Sequence, residues 1–323
     1  MPKPFRFAIQ SFNADNAAQW KDRARAAEDL GYSALHLADH LLGPGAALAK
    51  TNHPPQNLAA VPAMATAAAV TSRLKVGCRV FCVDYRLPIV LIKEAMTLDL
   101  LSDGRLEFGL GAGWLEEEYH ATGIAFDRPG QRITRLKSVI DAYRAFARAE
   151  PVQIANDAVR WRDFAGAPKP VQKPHPPLMI GGGGRRVLSL AAREADIVSL
   201  NFNNRAGVIG PDGIGNSTAA ATDEKLGWIR AAAGSRLGAL EIEVGAYFTV
   251  VTPQAQATVE QFSRAFGLTP QQVAEHPHAL IGSTDSIRET LIARRERYGI
   301  SYVTVPDAAM QAFAPVVAAL AGK

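Results

Sequence analysis

The chain has 323 residues, 48% of them hydrophobic and 20% charged, which allows a large buried core and argues against global disorder. Its formal charge of +4 comes from 35 basic and 31 acidic residues. There is no run of five like charges, so nothing points to a nucleic-acid partner. The longest apolar run, Leu58–Val70, is broken by Pro62 and Thr66 and falls short of the roughly 20 residues a membrane span needs.

Met1–Phe7 has no apolar stretch after its lysine, which argues against a secretory signal. Cys78 and Cys82 fall in one strand-like segment, roughly 13 Å apart at ~3.3 Å per residue and too far to bridge. A reduced, cytoplasmic protein is expected.

Strand-like runs occur at Phe5–Ser11, Ala34–Asp39, Lys75–Val83, Arg105–Leu110, Pro177–Gly182, Asp196–Asn201, Glu241–Thr252 and Ser301–Pro306. Helical spacing fills the gaps. In the first, Trp20, Ala24, Ala27 and Leu30 recur at three and four residues, with Asp15 as the expected N-cap and Gly31 as the terminator. Further helices are predicted over Asn57–Ser72, Pro88–Leu101, Arg132–Ala149, Arg185–Glu194, Ala219–Ala233, Ser286–Tyr298 and Ala309–Leu320. Strict alternation requires a parallel sheet, and eight units suit closure. The expected fold is α/β, a single (β/α)8 TIM barrel spanning residues 1–323 as one domain.

Two stretches depart from the repeat. Residues 151–177 are proline-rich and carry Trp161 and Phe164, and read as an extended excursion or hairpin. Residues 202–217 hold four glycines and follow a strand, where barrel loops line the active-site mouth. A lid and an ordinary surface insertion are both open there.

Barrel enzymes carry their chemistry at strand ends. Asp39-His40 ends the second run, and His40 there is a candidate general base that the neighbouring carboxylate could orient. His36, on the same side of the strand, reads as structural. Gly109-Leu-Gly-Ala-Gly-Trp114 ends the fourth run, and its alternating glycines would let the backbone approach a planar ligand. It is not a dinucleotide fingerprint, because Glu116 stands where a glycine would be needed. Gly181-Gly-Gly-Gly-Arg-Arg186 opens a helix and offers an anion site. No Lys-Ser or Lys-Thr follows it, so a phosphate-bearing cofactor fits better than a nucleoside triphosphate. No metal is expected: the first run lacks a His-x-His, and His276 and His278 lie in a proline-flanked loop.

Taken in order, five segments resemble the luciferase-like superfamily of flavin- and deazaflavin-dependent barrel enzymes. They are Gly31–His40, Arg73–Val80, Leu101–Trp114 with Glu118-Tyr119, Pro176–Gly184 and Leu280–Ser286. The resemblance is nearest to the branch that uses coenzyme F420, an 8-hydroxy-5-deazaflavin. It implies that His40 exchanges a proton with a substrate alcohol, with Asp39 fixing its orientation, and that Arg79–Val80 is a non-prolyl cis peptide backing the ring. It also implies that Cys82, Ala112, Gly113 and Glu117 line the cofactor and that Gly183, Gly184, Arg186 and Val187 form its phosphate turn.

The chain departs from that branch where sugar-phosphate dehydrogenases carry an acid. Trp114 stands there, as a stacking group or pocket wall, while Glu116, Glu117 and Glu118 lie one turn on. The implied function is F420-dependent hydride transfer to or from a small alcohol, ketone or activated alkene. An FMN-dependent monooxygenase and a non-catalytic flavin binder are the alternatives. A homodimer is implied by the resemblance alone.

Overall fold

In the computed structural model, which describes residues 2–323, the predicted runs close into a ring. The barrel strands are β1 (Arg6–Ser11), β2 (Ala34–Leu37), β3 (Lys75–Cys78), β4 (Leu106–Gly111), β5 (Leu178–Gly182), β6 (Ile197–Leu200), β7 (Glu241–Gly245) and β8 (Ile300–Pro306). All neighbours pair in parallel, and β8 and β1 join in register through Ile9 and Val305. Helices cover the outside and fill the core with Leu91, Met96, Val139, Tyr143, Leu188 and Phe313, all buried. Strands buried on both faces read as near-continuous apolar runs, which is why they were visible in the sequence.

The helices Pro88–Leu101, Arg185–Glu194 and Ala219–Ala233 have the predicted bounds. The first helix spans Ala17–Asp29, and its N-cap is Asn16, whose side chain accepts from the Gln19 N–H at 3.0 Å. Asp15, expected as the cap, instead accepts from the Gln19 side-chain amide. Gly31 follows the helix at φ +81°, a left-handed conformation that favours glycine.

Two long runs are interrupted. Lys75–Val83 divides into β3 and a short continuation, Phe81–Cys82, around a cis Arg79–Val80 peptide. Glu241–Thr252 divides after Gly245. Its second half, Phe248–Val251, leaves the ring and pairs in parallel with Ala279–Gly282, across the helices Ala255–Phe266 and Pro270–Ala274. This small unit stands above the C-terminal rim. The 151–177 excursion is a hairpin of Val152–Ala155 and Arg160–Phe164, with Trp161 and Phe164 packed on Phe146.

The lower lumen is a polar layer rather than a site. Glu107 accepts from Arg6 at 2.7 Å and from the Tyr302 hydroxyl at 2.7 Å, with His36 Nε2 at 3.1 Å. His36 is therefore structural, as its sequence position suggested. Burial works against ionisation of Glu107, but Arg6 and His36 hold it well below the ordinary carboxylate range.

Candidate active site

A cavity of about 680 Å³ opens at the C-terminal ends of the strands, within the usual size range of a cofactor site. Asp39, His40, Arg79, Val80, Cys82, Ala112, Gly113, Trp114, Gly183, Gly184, Arg186 and Val187 all line it. Glu117 does not: its carboxylate turns outward to Lys50 Nζ at 2.5 Å. Helical geometry separates the three consecutive glutamates, since successive side chains on Glu116–Thr122 point about 100° apart. The inward one is Glu118.

Glu118 corrects the expected partner of His40. His40 Nδ1 lies 2.9 Å from Glu118 Oε2, which also accepts from the Tyr85 hydroxyl at 2.5 Å. Glu118 Oε1 accepts from the Leu41 and Leu42 N–H groups. Burial alone would raise the Glu118 carboxyl. The hydrogen bond and charge of His40, with the Leu41 and Tyr85 bonds, hold it below its ordinary value. A carboxylate can only accept, so His40 Nδ1 carries hydrogen and Nε2 is the nitrogen left for a ligand.

Asp39 does other work. It takes a bidentate pair from Arg86 at 2.7 and 2.8 Å and accepts from the Cys82 N–H at 3.0 Å. It thereby ties the end of β2 to the segment after the cis peptide. Adjacent residues on an extended chain point to opposite sides, which is why Asp39 does not reach the ring of His40.

The Arg79 side chain crosses the lumen to Glu243, 2.9 Å away, and donates to Gln10 and Tyr247 at 2.9 Å each. Cys82 Sγ lies 3.1 Å from the Tyr119 hydroxyl, which donates to Asp84 at 2.9 Å. Burial pushes the Cys82 thiol up to about 12. Both cysteines are buried and free.

Gly109 and Gly111 of β4 and Gly113 just beyond it also make room for the protein's own groups. A Cβ at Gly109 would strike the Cys78 carbonyl, one at Gly111 would meet Val80, and one at Gly113, at φ +70°, would overlap Tyr119. They admit the protein's own groups behind the cavity wall. Gly183 similarly leaves room for the Phe202 carbonyl. Gly184 stands at the N-terminus of Arg185–Glu194 without a side-chain cap, so free N–H groups and Arg186 meet at the cavity rim.

The 202–217 insertion spans the mouth. Phe202, Asn203, Asn204, Arg205 and Ile209 line the cavity. The Ile209 N–H donates to the Thr51 carbonyl at 3.1 Å, and Asn52 donates back to the Ile209 carbonyl at 2.9 Å. Lys225 donates to Asn201 O and Ser217 Oγ, at 2.9 and 2.8 Å, pinning both ends of the segment. His276 Nε2 lies 3.1 Å from Ile214 O, and His278 Nδ1 lies 2.7 Å from Gly245 O. Sequence reasoning missed Glu118 as His40's partner, and missed Tyr85, Arg132, Ser199, Tyr247 and His53 altogether.

The residues present suit a tricyclic, phosphate-bearing cofactor. Among the lining residues, Arg79 Nη2, Ser199 Oγ and Asn204 Oδ1 are buried with no hydrogen-bond partner among the described residues, and the uncapped glycine turn offers the phosphate end.

Barrel, rim cavity and glycine turn together define a (β/α)8 protein with a ligand-sized cavity at the C-terminal rim. A profile described as luciferase-like monooxygenase matches residues 4–317, and the chain belongs to that family. It is 29% identical over 193 residues to an F420-dependent glucose-6-phosphate dehydrogenase of Amycolatopsis mediterranei, covering 59% of this chain and 55% of that protein. It is 28% identical over 140 residues to an FMNH(2)-dependent dimethylsulfone monooxygenase of Pseudomonas putida, covering 43% of this chain and 38% of that one. The F420-dependent tetrahydromethanopterin reductase of Methanopyrus kandleri superposes with a TM-score of 0.73 at 16% identity, covering 97% of both chains. Members of the family are oxidoreductases and monooxygenases that use F420 or FMN.

Proposed function

We propose that the protein is a coenzyme F420-dependent oxidoreductase acting on a small alcohol, ketone or activated alkene. The observation that carries this reading is the His40–Glu118 pair, which leaves His40 Nε2 for a substrate oxygen in the cavity that His40 lines. When bound, F420 supplies or accepts a hydride at its ring. The protein supplies position and a proton path.

His40 takes the proton of an alcohol or returns it to a carbonyl, and Glu118 stabilises the imidazolium that results. Val80, Ala112 and Gly113 would back the ring, and Gly183, Gly184, Arg186 and Val187 would hold the phosphate. Asp39 and Cys82 would shape the wall beside the ring. Trp114 makes a stacking wall where related sugar-phosphate dehydrogenases carry an acid, which favours a substrate other than a sugar phosphate.

The match to the dimethylsulfone monooxygenase supports a second reading, an FMN-dependent monooxygenase. Matched titrations of the full-length protein with F420 and FMN separate the two. F420 binding at least about tenfold tighter, a difference of about 1.4 kcal/mol, supports hydride transfer; the reverse order refutes it. We also propose a homodimer, because Leu87 and Leu101 are 70% and 66% exposed at the ends of Pro88–Leu101. A monomeric mass by light scattering would refute that.

A further inference from the structure

His40 has a neighbour that the proposed reaction leaves unused. His53, in the loop after β2, packs on it with ring centroids 4.0 Å apart and planes tilted by 50°. Trp114 closes on both rings at 5.8 Å, and Phe12 meets His53 edge-on at 5.5 Å. All four line the cavity, with Pro54 beside them.

The tautomer of His53 follows from its partner. Nδ1 lies 2.7 Å from the Pro54 carbonyl oxygen, which has no hydrogen to give. Nδ1 is therefore the donor, and Nε2 of the neutral ring is an acceptor. Among the described residues, nothing hydrogen-bonds that nitrogen. Two imidazolium cations this close would repel each other. Burial first, and the nearby His40 second, push His53 down to about 3, with the Pro54 bond and Glu118 opposing. With Nδ1 committed to the Pro54 carbonyl, His53 presents Nε2 as an acceptor one ring away from the reacting position.

We infer that His53 recognises substrate, its Nε2 accepting a hydrogen bond from a second donor adjacent to the oxygen served by His40. The substrate class is then a neutral vicinal diol or α-hydroxy carbonyl compound, with its apolar body against Phe12, Pro54 and Trp114. A carboxylate or phosphate at that position would face the lone pair of His53 and be disfavoured. The inference rests on the proposed role of His40, but its test does not require the cofactor.

Long-range 15N–1H spectra of the full-length protein read the tautomer directly. His53 should show an Nδ1–H ring that does not titrate between about pH 5 and 9; an Nε2–H ring, or titration near the ordinary imidazole value, overturns the inference. Tryptophan fluorescence then compares trans-cyclohexane-1,2-diol with cyclohexanol. The diol should bind about tenfold tighter, the effect of one good hydrogen bond, and His53→Phe, which keeps an aromatic ring in the stack, should abolish the preference. Equal binding of the two probes by the unaltered protein, or an undiminished preference in His53→Phe, overturns it. Failure of F420 to bind would count against the proposed reaction and leave both readouts intact.

Discussion

Replacing Glu118 by glutamine changes one oxygen for an NH2 and should reverse the tautomer of His40. The carboxylate accepts four hydrogen bonds, from His40, Tyr85, Leu41 and Leu42. The amide has one oxygen, which is best used on the two N–H groups, and its NH2 then faces Tyr85 and His40. Tyr85 can rotate its hydroxyl, but His40 Nδ1 must become the acceptor, which moves its hydrogen to Nε2. A neutral ring in that state cannot take a proton from substrate.

The lost charge-assisted bond is worth about 1.5–3 kcal/mol, so the proposed hydride transfer should slow about 10- to 150-fold. Affinity for the proposed cofactor should stay within about twofold, because Glu118 is not among the cavity-lining residues. Single-turnover absorbance of the cofactor measures the rate, and 15N spectra identify the tautomer. Since the folded Glu118 carboxyl lies below its ordinary value, its contribution is full above about pH 4.3 and lost as pH falls through the lowered value. The melting-temperature gap between Glu118→Gln and the unaltered protein should therefore close in acid. A rate within about twofold of the original, with Nδ1–H retained, would refute the assignment.

Arg79→Met should destabilise by about 3–5 kcal/mol in urea by stranding buried Glu243, and adding Glu243→Leu should restore most of it; equal losses in single and double variants would refute the pairing. Lys225→Met should raise amide exchange across residues 202–217 while leaving the barrel strands protected. Burial pushes the Lys225 ammonium down to about 8, so its burial penalty fades as pH rises from about 8 towards about 10.4. The unaltered protein should then gain melting temperature relative to Lys225→Met, and a constant difference refutes the cause. Cys82, pushed up to about 12 by burial, and Cys78, raised well above its ordinary value, should resist iodoacetamide in the native protein at about pH 8; labelling as fast as in denaturant would refute their burial.

The barrel was legible because parallel strands buried on both faces give apolar runs bounded by glycine and charge, and because helices such as Arg185–Glu194 alternate charged and apolar faces. The split of Glu241–Thr252 was hidden because both halves carry β-branched residues and Gly245 is followed by Ala246 and Tyr247, neither of which signals a turn. The cofactor end was readable from the glycines, but their purpose was not: whether Gly111 admits a ligand or Val80 depends on a chain segment 31 residues away. His40 was found, but neighbours in sequence are poor guides to neighbours in space. Its carboxylate partner came from the turn that begins beyond Trp114, and His53 lies in a loop whose irregular sequence carries no periodic signal.

The segment across the mouth is held to the far rim by two hydrogen bonds through Ile209. Each is worth about 0.5–1.5 kcal/mol net, a small cost for opening at that edge, while Lys225 anchors the span at both ends. Were the span to open, it would swing without being lost. Of these two bonds only the Asn52 amide comes from a side chain, so a change there would loosen the latch while the proton-handling ring is left as it is.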